Sequence, residues 1–501
     1  MITVLLDKAE FEYDIHSLVK AFYPKEEVYV STKDKEKKEE PVHYHMDVQF
    51  APEEIIFFWK LVEASEDNAN QTGITKCVAV DYTNRKETKN SLKRTLYRLL
   101  SEYTGVELPW GNLTGIRPTK IPMALLEEGK SEKEIARYMK ETYFTSDEKI
   151  KLSIEIAERE LELLHKLDYE EGYSLYIGIP FCPTTCLYCS FTSYSMSAWK
   201  NRMDDYLSAL EKELDYTAVK FAHKKLNSIY IGGGTPTTLN PQQLDRLIRK
   251  IKCSFDLSDL VEFTVEAGRP DSITKEKLMV LRNHDISRIS INPQTMKQET
   301  LDLIGRHHTV QQTIDSFYLA RELGFDNINM DLIVGLPGES LSDVADTMEV
   351  IRKLAPDNLT VHSLAIKRAA RLNIQRERYQ DFEIVNTADH IALTSKVAEE
   401  MGLFPYYLYR QKNMAGNFEN VGYAKPGKAG VYNILIMDES QSIFGAGCGA
   451  STKLVEPCGR ITRIHNYKFP YEYIRQFDQL MQKKEQVREI CERIREQEAE
   501  K

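Results

Sequence analysis

Three cysteines stand at Cys182, Cys186 and Cys189 in the run Cys-Pro-Thr-Thr-Cys-Leu-Tyr-Cys. A C-x3-C-x2-C spacing gathers three thiols on one short loop, and thiolates select soft transition-metal chemistry. Structural zinc usually asks for four protein ligands in closed spacing. The nearest histidines, His165 and His223, both lie outside the loop, so a zinc reading needs a distant fourth ligand. Three thiolates are also the set that holds three irons of a cubic four-iron cluster and leaves the fourth iron open.

Other residues fall where a small molecule could be held. Gly232-Gly-Gly-Thr235 follows a predicted strand, and glycine there permits positive φ and close backbone approach. The alternative role is a tight strand-to-helix turn. The run lacks the Lys of a phosphate loop, which argues against a nucleoside triphosphate. Glu266 ends the next predicted strand, where a carboxylate can accept from ribose hydroxyls, unless it is merely a surface glutamate. Arg306 could clamp a carboxylate bidentately, Asp331 could accept from a ribose or an amine, and Gln294 could do either. His307 and His308 are adjacent; on a helix they would point about 100° apart, which argues against a shared ion. Lys367, Arg368 and Arg371 form a basic cluster after a predicted strand end, suited to carboxylates or simply a solvated loop. Cys448 sits in a glycine turn and reads as a structural thiol. Cys77, Cys253, Cys458 and Cys491 carry no assigned role.

These residues need a scaffold. Short apolar runs at 174–179, 228–231, 262–266, 288–292, 327–334 and 359–366 are separated by helical stretches, which is the pattern of a parallel sheet with crossover helices. Either an open doubly wound sheet or a full or partial barrel fits, and both place chemistry at the carboxyl ends of the strands. Upstream, 2–6, 43–50 and 55–62 read as strands and 89–103 as a helix, while the charged run 33–40 reads as a solvated loop. Two short helices are predicted at 121–130 and 131–142, the second with Ser131 as N-cap and Glu134 completing a capping box. A long amphipathic helix runs from Ser146 to about residue 167. Downstream, a helix at 385–401 leads to a Tyr- and Gly-rich region and a charged helical tail from 471. The expected division is an α+β domain at 1–168, a core at 169–379 and a C-terminal extension at 380–501 covering the site.

Composition bounds the possibilities. The 501 residues include 66 Lys and Arg against 76 Asp and Glu, a net charge of −10 that argues against a generally basic nucleic-acid binder. Eight cysteines are too few for a disulfide scaffold. The first twenty residues mix acidic and polar groups with apolar ones, and no apolar run reaches the roughly 18 to 20 residues that span a bilayer. A cytoplasmic monomer without nucleic-acid partners is expected.

The cysteine run, together with Tyr176-Ile-Gly-Ile-Pro-Phe-Cys182, Ile231-Gly-Gly-Gly-Thr-Pro-Thr237 and Asp331-Leu-Ile-Val-Gly-Leu-Pro337, resembles the oxygen-independent coproporphyrinogen III dehydrogenase group of the radical S-adenosylmethionine (SAM) enzymes. Gly115-Ile-Arg-Pro118 and the N-terminal domain resemble the HemZ type. The resemblance implies a partial (β/α)6-type barrel, a four-iron cluster on the three cysteines, and SAM chelated to the open iron. It gives Tyr176, Gly233, Gly234, Thr235, Glu266, Gln294, Arg306, Asp331 and Ala365 to SAM. The implied reaction is radical decarboxylation of coproporphyrinogen III to protoporphyrinogen IX, with flavodoxin or ferredoxin as electron donor. Two departures stand out: Gly178 where the group usually has His, and Phe191 where it has a further Cys. A related branch is a haem-binding chaperone with a His-Asn-x-x-Tyr-Trp motif after an Ala-x-Pro-Gly turn. Here the turn is Ala424-Lys-Pro-Gly427, but the motif position reads Tyr432-Asn-Ile-Leu-Ile-Met437.

Overall fold

The computed structural model describes residues 1–32, 42–62, 73–379, 382–411, 414–456 and 459–499; the run 33–40 and Cys458 lie outside them. The chain divides into two compact units, Met1–Glu155 and Ile156–Lys501. The division falls inside the predicted amphipathic helix, observed as Asp147–Leu164.

The first unit is α+β. Its sheet comprises β1 (Ile2–Leu6), β2 (Val28–Thr32), β3 (Tyr44–Phe50), β4 (Glu54–Leu61) and β5 (Ile74–Ala79) in the order β2-β1-β3-β4-β5. Apolar residues of β1, β3 and β4 form one core with those of helices Glu12–Phe22 and Arg85–Thr104. The expected capping box is present: Ser131 and Glu134 close the start of helix Glu132–Tyr143 reciprocally, which satisfies two otherwise orphaned backbone donors.

The second unit is built on an eleven-stranded sheet. A short pair, β7 (Phe181–Cys182) and β8 (Tyr194–Ser195), flanks the cysteine loop. Six parallel strands form the centre: β6 (Gly172–Ile179), β9 (Lys225–Gly233), β10 (Glu262–Glu266), β11 (Arg288–Ser290), β12 (Ile328–Val334) and β13 (Asn358–Ser363). Beyond β13 lie β15 (Asn420–Ala424) and β14 (Phe404–Tyr409), both added antiparallel. At the other side β16 (Ser442–Gly447) runs parallel to β6, followed by antiparallel β17 (Ser451–Val455) and β18 (Ile461–His465). The linear order with β14 and β18 at its ends makes this an open, partial barrel of the predicted class. The C-terminal strands are thus part of the same sheet and unit as the parallel core.

Alternation along the strands sorts residues to two faces. Leu175, Ile177, Ile229, Ile231, Val265, Ile289, Met330 and Leu359 are fully buried on one face. The register places Tyr176 beside Tyr230, Tyr230 beside Thr264, Thr264 beside Arg288, and Asp331 beside Thr360 on the other. That polar row carries the site. Crossover helices Pro241–Ser254, Val310–Glu322 and Leu341–Leu354 each begin with a capping box, at Asn240, Thr309 and Ser340. Among the described residues, no helix is long and apolar enough to cross a membrane.

The predicted C-terminal helix, Phe477–Ala499, is tied to the barrel by a buried ion pair. Lys484 Nζ lies 2.5 Å from Glu213 Oε1 and donates to the Gly445 carbonyl at 2.6 Å. Glu213 also accepts from Tyr473, Asn466 and the Gly447 amide. Removing one partner of such a pair strands a buried charge, which costs about 3 to 5 kcal/mol. Lys484→Met should therefore lower unfolding stability by about that amount in denaturant titration, whereas Lys483→Met, at an exposed neighbour whose ammonium lies 4.4 Å from the Tyr467 ring centroid, should change it by about 1 kcal/mol or less.

Candidate active site

Between Cys182 and Cys189 the chain has no regular structure, and its shape is set by neighbouring loops. The Leu187 amide donates to the Ile304 carbonyl and the Leu187 carbonyl accepts from the Leu372 amide, both at 2.9 Å. Thr184 Oγ1 donates to the Gly305 carbonyl at 2.6 Å, and Arg371 Nη1 to the Thr185 carbonyl at 3.2 Å. Leu187 itself is buried among Leu301, Ile304, Ile333, Leu336, Leu364 and Leu372. The three thiols open onto a cavity of about 230 Å³.

Among the described residues, no group of three His, Cys, Asp or Glu side chains closes on a point that one metal ion could occupy. A zinc ion would need its thiolates about 2.3 Å from one centre, while a cubic cluster gives each thiolate its own iron. As they stand, the three thiols do not converge on one zinc ion, whereas a cubic cluster asks only for one thiolate per iron. Burial pushes the Cys182 thiol up and the Cys189 thiol up to about 11, so a bound cation must displace the protons there.

The same cavity is lined by Gly233, Gly234, Thr235, Glu266, Gln294, Arg306, Asp331 and Ala365. Every residue expected at the cofactor is therefore on this wall except Tyr176. That ring lies in an aromatic stack, 6.2 Å from Tyr230 and 6.3 Å from Tyr432, and the lining does not include it. It reaches the cavity only through Tyr230, whose hydroxyl donates to Glu266 Oε1. The packing of β6 against β9 explains the displacement, since the register pairs Tyr176 directly with Tyr230.

The glycine run is dictated by the approach of two strands. Gly233 adopts φ +106°, and a Cβ on Gly234 would meet the Phe181 carbonyl oxygen at 2.6 Å and that of Ile179 at 2.9 Å. The Gly234 and Thr235 amides instead donate to those two carbonyls, each at 2.7 Å. Gln294 is held at φ +68°, a region that non-glycine residues rarely adopt. Its amide donates to the Asp331 carbonyl and its carbonyl accepts from the Ile333 amide, both at 2.9 Å.

Electrostatics separate the two wall carboxylates. Burial pushes Glu266 up to about 7, with Asp331 adding to the rise and the Tyr230 hydroxyl opposing it. Asp331 is equally buried, but donors from His362 and Asn329 outweigh that burial and hold its carboxyl below the ordinary value. Asn329 Nδ2 donates to Asp331 Oδ1 at 2.7 Å. Arg306 is buried, and its Nη2 donates to the carbonyls of Gly268 at 2.8 Å and Asn292 at 2.5 Å. Its Nη1 donates to the Tyr188 hydroxyl at 3.2 Å, so the guanidinium ties three loops together, and Nε is left without a partner. The Asn292 side-chain oxygen on the same wall is also unpartnered. Buried polar atoms left open in this way are what a polar ligand would satisfy.

Of the other sequence candidates, Lys367 lines the cavity, while Arg368 and Arg371 are exposed and outside it. His308 is fully buried, with both ring nitrogens unpartnered. Cys448 Sγ donates to the Lys468 carbonyl at 3.0 Å and does not line the cavity. Sequence reasoning missed Arg269, Asn292, His362 and Tyr409. Asn292 follows the end of β11 and His362 lies within β13 on the face of Thr360, so both could have been found by carrying the alternation forward. Tyr409 reaches the wall only through antiparallel β14, which no local pattern announces.

Comparison with known proteins gives this geometry its setting. Residues 176–351 match the family model described as the Radical SAM superfamily. The chain is 43% identical over 412 residues, 81% of its length and 82% of the relative's, to the oxygen-independent coproporphyrinogen-III oxidase-like protein HemZ of Bacillus subtilis. It belongs to that radical SAM family. The superfamily uses a four-iron cluster and SAM; three thiols facing one cavity can each take an iron, and the open polar atoms of Asn292 and Arg306 on the same cavity suit a polar ligand. The heme chaperone HemW of Bacillus subtilis is 35% identical over 292 residues, covering 55% of this chain and 70% of that protein. The solved coproporphyrinogen III oxidase HemN of Escherichia coli shares the fold, with a TM-score of 0.50 at 24% identity over 64% of this chain and 72% of that one.

Two outcomes follow for the site. Replacing Cys182, Cys186 or Cys189 by Ala should abolish the cluster's visible absorption and SAM cleavage in anaerobically reconstituted protein, whereas Cys253→Ala should leave both intact. For Glu266, the folded state holds its proton to about pH 7 while the unfolded chain releases it near 4.5. Between these values the folded state binds more protons, so this group makes stability fall as pH rises. Glu266→Gln should flatten that fall in cofactor-free protein, as read by thermal unfolding from pH 5 to 8.

Proposed function

We propose that this protein is a radical SAM oxidoreductase that converts propionate side chains of a porphyrinogen, coproporphyrinogen III in the first instance, into vinyl groups without oxygen. The observation that carries the reading is a cation at the rim of the cysteine cavity. Lys367 is half-buried, its ammonium stands 5.3 Å over the Phe191 ring, and among the described residues no carboxylate forms a salt bridge with it, the charged influence on it being the Cys189 sulfur. Burial holds it below the ordinary lysine value. A substrate carboxylate placed there would restore the charge balance, and the exposed Phe191 ring offers an apolar face for a macrocycle.

The cluster and SAM would supply a 5′-deoxyadenosyl radical when bound. Cys182, Cys186 and Cys189 would hold the irons, and Asp331, Glu266, Gln294 and the Gly233–Thr235 backbone would hold SAM. The propionate loses one β-hydrogen atom, then carbon dioxide and one electron, and becomes a vinyl group; the electron passes to an acceptor. No protein acid or base is needed at that carbon. The chain's contribution is placement of the propionate and exclusion of water. A small redox protein of the flavodoxin or ferredoxin class is the proposed electron donor.

Haem binding is the second reading, favoured by the similarity to the heme chaperone. Against it stands the position of Tyr432, which is buried and stacked 4.6 Å from Tyr230, with its amide donating to Glu262. The segment that carries His in the chaperone branch is thus turned into the barrel packing. Coproporphyrinogen III deuterated at the propionate β-carbons should transfer label into 5′-deoxyadenosine under anaerobic reduction, with vinyl products by mass spectrometry. Unlabelled deoxyadenosine together with tight haem binding would favour the chaperone.

A further inference from the structure

Arg269 is not needed to line a strand or fill the apolar core, yet it is buried beside the cysteine loop with only 3% of its surface exposed. It follows Glu266-Ala-Gly on the loop after β10. Its Nε donates to Asp271 Oδ1 at 3.0 Å, and Nη2 donates to Asp271 Oδ2 at 2.7 Å and to Thr184 Oγ1 at 3.1 Å. Nη1 donates to the Thr184 carbonyl at 3.2 Å and to Cys186 Sγ at 3.5 Å. A guanidinium has five N–H donors in a fixed fork. All five are engaged here, so none is free for SAM or for a substrate.

The three-way contact has a charge sense. Asp271 is pushed up by burial, but its bonds to Arg269 outweigh that and keep it ionised. Arg269 therefore delivers a cationic donor to one cluster sulfur while its counter-ion faces away from that sulfur. Among the described residues the hydrogen bond to Cys182 Sγ comes from a neutral donor, the Thr235 hydroxyl at 3.5 Å, although the Arg269 and Arg306 charges also act on that thiol. Hydrogen bonds and positive charge at a ligand sulfur favour the electron-rich, reduced state of an iron–sulfur cluster and so raise its reduction potential.

We propose that Arg269, oriented and partly neutralised by Asp271, is a positioning residue that sets the reduction potential of the cluster through Cys186. The inference rests on the cluster assignment to the three cysteines and makes no use of the substrate. It separates from a purely structural clamp because the two partners of the ion pair should act with opposite sign. Arg269→Gln removes the positive charge and should lower the midpoint potential. Asp271→Asn keeps an acceptor for the fork but removes the neutralising charge, and should raise it.

The test is an EPR-monitored redox titration of reconstituted protein, with iron counted in each sample. Each variant is expected to change the reduced-to-oxidised ratio at fixed ambient potential by up to about tenfold, equivalent to about 59 mV for a one-electron couple, downward for Arg269→Gln and upward for Asp271→Asn. Unchanged potentials at full iron content, or shifts in the same direction, would overturn the proposal. Should Arg269→Gln fail to retain iron, Asp271→Asn decides alone: a raised potential supports the proposal, and an unchanged one reduces Arg269 to a structural clamp. Loss of porphyrinogen turnover in a variant whose potential shifts as expected would bear on the substrate reading only.

Discussion

The three thiols sit on eight residues that lose regular structure after Cys182, and apart from one internal bond, the Cys189 amide donating to the Cys186 carbonyl at 3.2 Å, neighbouring loops hold their arrangement. The loop borrows its shape from three others: residues 304–305 and 371–372 bond to its backbone, and Arg269 bonds to both Thr184 and Cys186. Those segments follow β10, β11 and β13, so the cysteine geometry depends on the parallel strands being in register. The burial of Leu187 among Leu301, Ile304 and Leu372 converts this dependence into a packed contact. A site assembled from the carboxyl ends of different strands is what an open parallel barrel makes available.

The same register produces a polar interior, which is costly unless its groups are paired. Most are: Tyr230 with Glu266, Asn329 with Asp331, Asn358 with Asn327. The exceptions include the Nε and Nη2 atoms of Arg288, the Ser290 hydroxyl, the Asn292 side-chain oxygen and Arg306 Nε. Asn292 and Arg306 open on the cavity. Two carboxylates on one wall, one held ionised and the other pushed up to about 7, give that wall less negative charge than its residue types suggest.

Much of this was legible in the chain before folding. The C-x3-C-x2-C run carries its chemistry in its spacing, and each predicted parallel strand appears because alternating Ile, Leu and Val bounded by Gly or Pro has few other uses. Ser131 with Glu134 announced a helix start through local hydrogen bonding alone. What escaped depends on contacts distant in sequence. Tyr176 was placed at the cofactor, but its ring stacks on its register neighbour Tyr230 and is not among the residues that line the cavity. Arg306, read as a carboxylate clamp, does line the cavity with Nε open, but nothing in the sequence signalled that Gly268 and Asn292 would take one arm of its fork. Arg269 was passed over because a lone arginine after a strand has no local signature.

The site turns on Cys182, Cys186 and Cys189 holding a cluster whose fourth iron SAM would take within the cavity. Electron–nuclear double resonance on the reduced protein, with SAM labelled by nitrogen-15 at the amino group and oxygen-17 at the carboxylate, tests that arrangement directly. Hyperfine coupling is expected from both labels, because the amino and carboxylate groups should bind the open iron. A reduced cluster that shows neither coupling at saturating SAM would contradict that arrangement, since the fourth iron would then be held by something else.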